Sequence, residues 1–123
     1  MNKENTARER AGTVARKQQL LKDIYAYVDA HLSERINLQN VSAHFKVSIS
    51  TVTQLFQHKA DTTFHEYVTQ RRMAKAEDLI AKGVPLEEVG KRVGYADHSS
   101  FYRAFRQHFG TSPREYKREQ INK

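Results

Sequence analysis

An internal repeat restricts the possible folds of this chain more than any other feature of its sequence. Residues 56–67 (FQHKADTTFHEY) align with residues 105–116 (FRQHFGTSPREY) at a constant offset of 49. Upstream, the pattern Leu-x-x-Val followed by a small residue occurs at 38–42 and again at 86–90, at an offset of 48. Self-similarity at a fixed period indicates duplicated supersecondary units. Two copies predict a pair of like modules rather than a solenoid.

Each copy is expected to contain a helix, a tight turn, a second helix and the start of a third. Asn37 and Ser48 can cap the two helices of the first copy, and Asp97 can cap the second helix of the second copy. A capping box, in which a hydroxyl residue precedes a glutamate by three positions, opens the third helix at 63–66 and at 112–115. No segment alternates with period two for long enough to form a strand. The predicted fold class is therefore all-α, with about seven helices and two helix-turn-helix subdomains joined by a long linker helix.

The same pattern divides the chain into four parts. Residues 1–17, with five Lys/Arg and two Glu, are expected to be a flexible basic arm or a linker remnant. Residues 18–61 would form the first helix-turn-helix subdomain, residues 62–82 a connecting helix and residues 83–120 the second subdomain. A helix of about 20 residues is about 30 Å long, close to the ~34 Å between successive major-groove segments on one face of B-DNA. We therefore expect this rod to hold two recognition helices in adjacent grooves.

The chain carries a net charge of +7, and the placement of that charge favours an anionic partner. Residues 36–60 contain two Lys and no acid, and residues 98–123 contain six Lys/Arg against two Glu. Nucleic acid is favoured over membrane, because no cationic helix has a wide apolar face and no apolar run could span a bilayer. No apolar segment follows the N-terminal charge, so we expect no secretory signal, no membrane association and a cytoplasmic location.

The second helix of each copy has an outward polar face without acidic residues. Apolar residues at 52, 55 and 56 in the first copy, and at 101, 105 and 109 in the second, should pack inward. The outward positions are Ser50, Thr51, Thr53, Gln54 and Gln57 in the first copy and His98, Ser99, Tyr102, Arg103 and Arg106 in the second. Hydroxyl, amide and guanidinium groups can reach base edges, where Arg suits guanine and Gln suits adenine. Both faces are candidates for reading DNA, with a solvated polar surface as the alternative.

A catalytic or metal site is not expected. The chain has no cysteine, which excludes thiol nucleophiles, disulfides, thiolate zinc sites and iron–sulfur clusters. No two of the six histidines stand three or four residues apart, and the motif His-Glu-x-x-His is missing from the sequence. The chain is therefore predicted not to be an enzyme and to need no cofactor.

Two motifs in the sequence resemble the DNA-binding domain of the AraC/XylS transcription regulators. The first is Arg72-Met73-x-Lys75-Ala76-x-x-Leu79-Ile80, and the second runs from Val89 to Tyr116 and includes Val93-Gly94-Tyr95, Phe101-x-Arg103-x-Phe105 and Gly110-x-Ser112-Pro113. The resemblance covers about residues 19–118. Lys46 and Asp61 stand where the family pattern has glycine. If their backbone is left-handed, each would cost on the order of 1 kcal/mol, less for Asp.

The resemblance implies a bacterial transcription factor, usually an activator, that binds an asymmetric promoter site in double-stranded DNA as a monomeric unit and contacts RNA polymerase. It places base contacts on Ser50, Thr53, Gln54, His98, Ser99 and Arg103, and the outward face adds Tyr102. Phosphate contacts are expected from helix N-termini and nearby cations, at Ser48, Thr51, Lys59, Ser100, Arg106, Thr111, Ser112 and Arg114.

Several alternatives stay open. Arg71, Arg72 and Lys75 on the connecting helix fit solvation and phosphate contact equally well. No small-molecule ligand is expected within this chain, which is either a stand-alone regulator or part of a longer protein. A helical RNA-binding or protein-interaction module without sequence-specific DNA binding is the alternative function.

Overall fold

Seven α-helices, with no strand between residues 3 and 121, make up the part of the chain that the computed structural model describes; side chains are described for residues 12–121. The helices are α1 (Lys3–Ala30), α2 (Leu38–Phe45), α3 (Ile49–Leu55), α4 (Phe64–Ala81), α5 (Leu86–Arg92), α6 (His98–Phe109) and α7 (Pro113–Ile121). A π-helical turn, Phe56–Ala60, continues α3. The predicted all-α fold is confirmed. Within the described residues, no helix is both long and apolar enough to cross a membrane.

Helix α1 begins earlier than the sequence pattern predicted. Residues 3–17, expected to be part of a flexible arm, are helical and continue into the segment that ends at Ala30. The prediction relied on an apolar stripe that starts only at residue 20, whereas Ala, Arg, Glu and Lys favour a helix without one. A side-chain hydrogen bond that spans one turn supports the helix: Arg16 Nε donates to Gly12 O over 3.2 Å. The expected arm is thus corrected to a helical extension; residues 1 and 2 lie outside the described range.

The chain forms two compact units, each with its own core. The first comprises the residues up to Ala30 together with Asn37–Phe64, and the second comprises His31–Ile36 together with the residues from His65 onward. The core of the first unit includes Leu21, Ile24, Val28, Val41, Val52, Leu55 and Phe56. The Phe56 ring meets the rings of Tyr25 and Phe64 edge-on, at centroid distances of 5.9 and 5.5 Å. This aromatic contact packs the end of α3 against α1.

Side-chain caps start the helices of the first unit as predicted. Asn40 N donates to Asn37 Oδ1 over 2.8 Å at the start of α2, and Thr51 N donates to Ser48 Oγ over 3.0 Å at the start of α3. Such caps satisfy backbone N–H groups that have no partner within the helix. They are important here because α2 and α3 have only eight and seven residues.

The core of the second unit is formed by α4, α5 and α6. Its buried members are Met73, Ala76, Ile80, Val89, Val93, Phe101 and Phe105. Tyr116 on α7 packs its ring edge-on against Phe105, with 5.4 Å between centroids, and its hydroxyl donates to Glu77 Oε2 on α4 over 2.5 Å. Burial and the neighbouring Glu77 carboxylate raise the pKa of Tyr116 to about 12. The bond therefore persists across the physiological pH range and ties α7 to α4.

Arg72 packs inside the second unit and is neither fully solvated nor placed on an open helix face. Its Nη2 donates to the backbone oxygen of Glu34 over 3.1 Å, and its guanidinium carbon lies 5.4 Å from the centroid of the Tyr95 ring. Burial lowers the pKa of Arg72, although a guanidinium stays charged in proteins. Arg72 thus fixes the 31–36 segment and the Tyr95 ring around one cation. Neither solvation nor phosphate contact, the two roles considered for Arg72 from the sequence, describes this arrangement.

The turn between the two helices of each copy contains a residue with left-handed backbone. Lys46 has φ 58° and ψ 42°, and Gly94, its equivalent in the repeat, has φ 100°. The second helix of each copy ends in the same way, with φ 53° at Asp61 and 76° at Gly110. Lys46 and Asp61 thus both have left-handed backbone, which is the condition under which a cost was expected at these two positions.

Gly94 meets a second constraint that Gly110 does not share. A Cβ atom at Gly94 would lie 2.1 Å from the backbone oxygen of Leu32 and 2.9 Å from Arg72 Nη2. A Cβ atom at Gly110 would have nothing within 4 Å. Position 94 therefore needs glycine for space as well as for its backbone angle.

We expect Gly94→Ala to lower the free energy of unfolding by at least about 3 kcal/mol, because left-handed strain and steric overlap add. Gly110→Ala is the matched control and should lose only about 1 kcal/mol, since it meets strain alone. Urea unfolding followed by circular dichroism measures both values. Equal losses in the two variants would contradict the steric role of Gly94.

We expect Lys46→Gly to raise the free energy of unfolding by about 0.5–1 kcal/mol, because glycine relieves the left-handed strain and the greater entropy of its unfolded chain offsets only part of that gain. Lys46→Ala removes the same charge and keeps the strain, so its stability should stay within about 0.5 kcal/mol of the parent protein. Thermal and urea unfolding compare the three proteins. A gain shared by both variants would assign the effect to the charge.

Candidate nucleic-acid interface

Helix α3 presents an exposed polar face. Ser50 and Gln54 are exposed and one turn apart, and Gln54 Nε2 donates to Ser50 Oγ over 3.3 Å. Thr53 is half-buried beside them. The opposite side of the helix is fixed in the core through Val52 and Leu55. The three side chains predicted to contact bases from α3 thus lie together on one short helix.

Two hydroxyl groups meet at the start of α3. Ser48 Oγ and Thr51 Oγ1 are 2.8 Å apart, and Ser48 Oγ also accepts from Thr51 N. Only one hydroxyl hydrogen is needed for the contact between the two side chains, so the other hydroxyl can donate outward. Lys59, in the π-helical turn that follows α3, is exposed.

Helix α6 presents the larger of the two polar faces. His98, Ser99, Arg103 and Arg106 are exposed, and Tyr102 is half-buried. The His98 ring lies 6.4 Å from the Tyr102 ring and 6.3 Å from that of Phe101, measured between centroids. Phe101 is fully buried, so the exposed His98 ring lies next to the core.

Asp97 caps α6 with an ionised carboxylate. Ser100 N donates to Asp97 Oδ1 over 2.7 Å. This backbone hydrogen bond is the main cause that lowers the pKa of Asp97, and the charge of Arg103 contributes in the same direction. The half-buried Ser100 therefore has its backbone N–H committed to the cap.

The start of α7 contains three of the residues predicted to contact phosphates. Ser112 is only 8% exposed, and its Oγ accepts from Glu115 N over 3.1 Å. Thr111 Oγ1 donates to Glu115 Oε2 over 2.7 Å, which uses its only hydroxyl hydrogen. Arg114 is exposed. Arg114 therefore exposes its guanidinium group, whereas Thr111 Oγ1 and Ser112 Oγ bond to Glu115 at the start of α7.

A cleft of about 840 Å³ brings predicted residues of α6 and α7 together within the second unit. His98 and Tyr102 line one wall, and Ser112 and Arg114 line another. Lys91 and Arg118 also line this cleft, as do acidic groups that include Asp97 and Glu115. Sequence reasoning missed Arg118, although it follows Arg114 by one helical turn and so lies on the same side of α7.

Ile49 is a second residue that the sequence reasoning passed over. It is the first residue of α3 and is 43% exposed, which is unusual for a large aliphatic side chain between residues 12 and 121. Its place in the repeat could have identified it, because Ile49 aligns with His98, the first residue of α6.

The comparisons with known proteins agree on one family. The family described as "Helix-turn-helix domain" matches residues 41–119. The HTH-type transcriptional regulator YdiP of Escherichia coli K12 is 33% identical over 119 residues, which cover 96% of this chain and 39% of YdiP. The chain spans 34% to 39% of the length of the first three curated relatives that it matches.

Solved structures share the fold. The C-terminal domain of AraT, a response regulator from Geobacillus stearothermophilus, has a TM-score of 0.79 at 27% identity, over 81% of this chain and 84% of that one. The DNA-binding domain of AdpA, solved in complex with a target DNA, has a TM-score of 0.75 at 22% identity, over 80% of this chain and 90% of that one. The predicted resemblance is thus confirmed, and the chain belongs to the AraC-type helix-turn-helix family.

Proposed function

We propose that this chain is a sequence-specific double-stranded DNA-binding regulator of transcription, with α3 and α6 in adjacent major grooves of an asymmetric promoter site. The observation that carries the proposal is the exposed face of α6, where His98, Ser99 and Arg103 project from a helix anchored by Phe101 and Phe105. This helix is the second member of a helix-turn-helix, the position of a recognition helix. The related fold of the AdpA domain was solved on its target DNA.

Base reading is divided unequally between the two helices in this proposal. Arg103 can form a bidentate contact with guanine, the commonest specific contact in the major groove. Ser99, His98 and Tyr102 supply further polar groups on α6. On α3 the candidates are Ser50, Thr53 and Gln54, and none of them is a cation. The second unit therefore anchors sequence recognition, and the first adds smaller contacts.

Phosphate contacts are assigned mainly to cations and secondarily to hydroxyls. Lys59, Arg106 and Arg114 are exposed and can each neutralise a phosphate. One hydroxyl hydrogen joins Ser48 to Thr51, and the hydrogen of the other hydroxyl can point outward. The Ser100 N–H is committed to the Asp97 cap and the Thr111 hydroxyl to Glu115, so each of these groups would contact a phosphate only by exchanging its bond. Ser112 Oγ accepts from Glu115 N and keeps its own hydrogen for donation. Binding should therefore weaken steeply with salt.

We further propose that the chain acts as a monomeric activator unit that contacts RNA polymerase in the bacterial cytoplasm. The family resemblance supports this part of the proposal, as do two relatives from Escherichia coli, one named an HTH-type transcriptional regulator and the other a regulatory protein. The proposed role requires no catalysis and no cofactor.

We expect Arg103→Ala to weaken binding to a cognate duplex by about 1–3 kcal/mol and to relax the preference at one base pair. The cognate duplex is first obtained by selection from a random double-stranded pool, and fluorescence anisotropy then measures the Kd. Arg92→Ala is the matched control, because Arg92 is an exposed arginine on α5 whose Nη2 pairs with Glu88 Oε2 at 2.8 Å. It should change the Kd little.

Two outcomes would count against the proposal. Equal losses for Arg103→Ala on cognate and random duplexes would remove its base-reading role. No enriched sequence, or equal affinity for duplex DNA and single-stranded RNA at two salt concentrations, would contradict the proposed function itself and favour an RNA-binding or protein-interaction module.

A duplex of about 20 base pairs should be needed for full affinity, because two major-groove segments one turn apart are engaged. The length of α4 supports this expectation: its 18 residues extend about 27 Å. Nested duplexes of 12, 16 and 20 base pairs centred on the selected site provide the measurement. A 12-base-pair duplex that bound as tightly as the longest one would contradict engagement of two grooves.

A further inference from the structure

We infer that Ile49 is a specificity-determining residue that contacts the C5-methyl group of a thymine in the major groove occupied by α3. The inference rests on the proposed function and deepens it, because it assigns a base preference to a helix whose other outward side chains are small hydroxyls and amides. None of the base contacts assigned above includes this residue.

The position of Ile49 is the first argument. It is the first residue of α3, directly after the cap residue Ser48, just as His98 is the first residue of α6 after the cap residue Asp97. Both side chains are exposed. The N-terminal residues of a recognition helix are the ones that contact base edges. The repeat therefore places Ile49 where the second unit has a residue proposed to contact bases.

The partial burial of Ile49 is the second argument. Val52 and Phe56 follow it by three and seven residues and are fully buried, so one side of Ile49 continues the stripe that packs into the core. The remaining 43% of its surface is open. Packing on one side fixes the branched side chain, and a β-branched residue has few rotamers to lose on binding. The exposed part is thus a rigid apolar surface on the same short helix as the hydrogen-bonding groups of Ser50 and Gln54.

The chemistry of the major groove selects the occupant. The edges of adenine, guanine and cytosine present hydrogen-bonding atoms, whereas thymine adds a methyl group. An aliphatic side chain against a polar edge would remove water without replacing its hydrogen bonds. Against the thymine methyl, it buries apolar surface on both partners. Burial of one methyl or methylene group is worth about a fourfold change in Kd.

The test removes the methyl group from the DNA rather than from the protein alone. In the selected duplex, each thymidine is replaced in turn by deoxyuridine, which lacks the C5-methyl and keeps the base-pairing atoms. We expect one replacement to weaken binding of the parent protein about fourfold and to leave Ile49→Ala unchanged. Ile49→Ala should also bind the thymine-containing site at least fourfold more weakly than the parent protein does.

Val14→Ala provides a matched control, since Val14 on α1 is an aliphatic residue with the same 43% exposure. It should show the same response to deoxyuridine as the parent protein at every position. Circular dichroism checks the helicity of each variant. If Ile49→Ala loses helicity, Ile49→Val is tested in its place. Replacing the responsive thymidine by deoxyuridine should then weaken binding of Ile49→Val about twofold, against about fourfold for the parent protein.

The outcomes separate this inference from the proposed function. Deoxyuridine effects that are equal in the parent protein and the Ile49 variants at every thymine would overturn the contact, while selection of a consensus sequence would leave the proposed function intact. The contact would also be overturned if no thymine in the selected sequence changed the Kd when it was replaced by deoxyuridine. Failure to select any sequence would overturn both.

Discussion

Helices of seven or eight residues are not stable alone in water, because nucleation is unfavourable and short helices gain few bonds. Helices α2, α3 and α5 are all of this length. They exist because side chains cap the starts of α2 and α3 and because all three helices bury at least one apolar side chain, namely Val41, Val52 and Val89. The polar face of α3 is therefore held in place by the core beneath it, and the longer α6 is likewise anchored in its core by Phe101 and Phe105.

Local chemistry explains which parts of the fold could be predicted. Asn37, Ser48 and Asp97 are predictable as caps because the signal lies within three residues. Lys46 and Asp61 stood out as possible left-handed sites because the family pattern has glycine at both positions. The exposed faces of α3 and α6 followed from helical periodicity in the same way.

Contacts between distant residues explain what could not be predicted. Arg72 reaches a backbone oxygen 38 residues away, and Tyr116 reaches a carboxylate 39 residues away. Neither partner has a sequence signal. The helical extension before residue 18 was missed for the opposite reason, since helix propensity there acts without the apolar stripe on which the prediction relied. The commitment of the Thr111 and Ser112 hydroxyls to the α7 cap likewise emerged only from geometry.

The cap of α6 affects how well the protein, in its proposed function, discriminates between cognate DNA and other DNA sequences. The Asp97 carboxylate at the N-cap compensates the positive end of the helix dipole. A helix end whose dipole is compensated attracts DNA phosphates only weakly, whatever the base sequence. The contribution of α6 to non-specific DNA affinity would therefore depend on side chains such as Arg106. Because genomic competitor sites outnumber any promoter site, low background affinity raises the fraction of protein on its own site as effectively as tighter cognate binding does. A single aspartate can thus improve selectivity without touching a base.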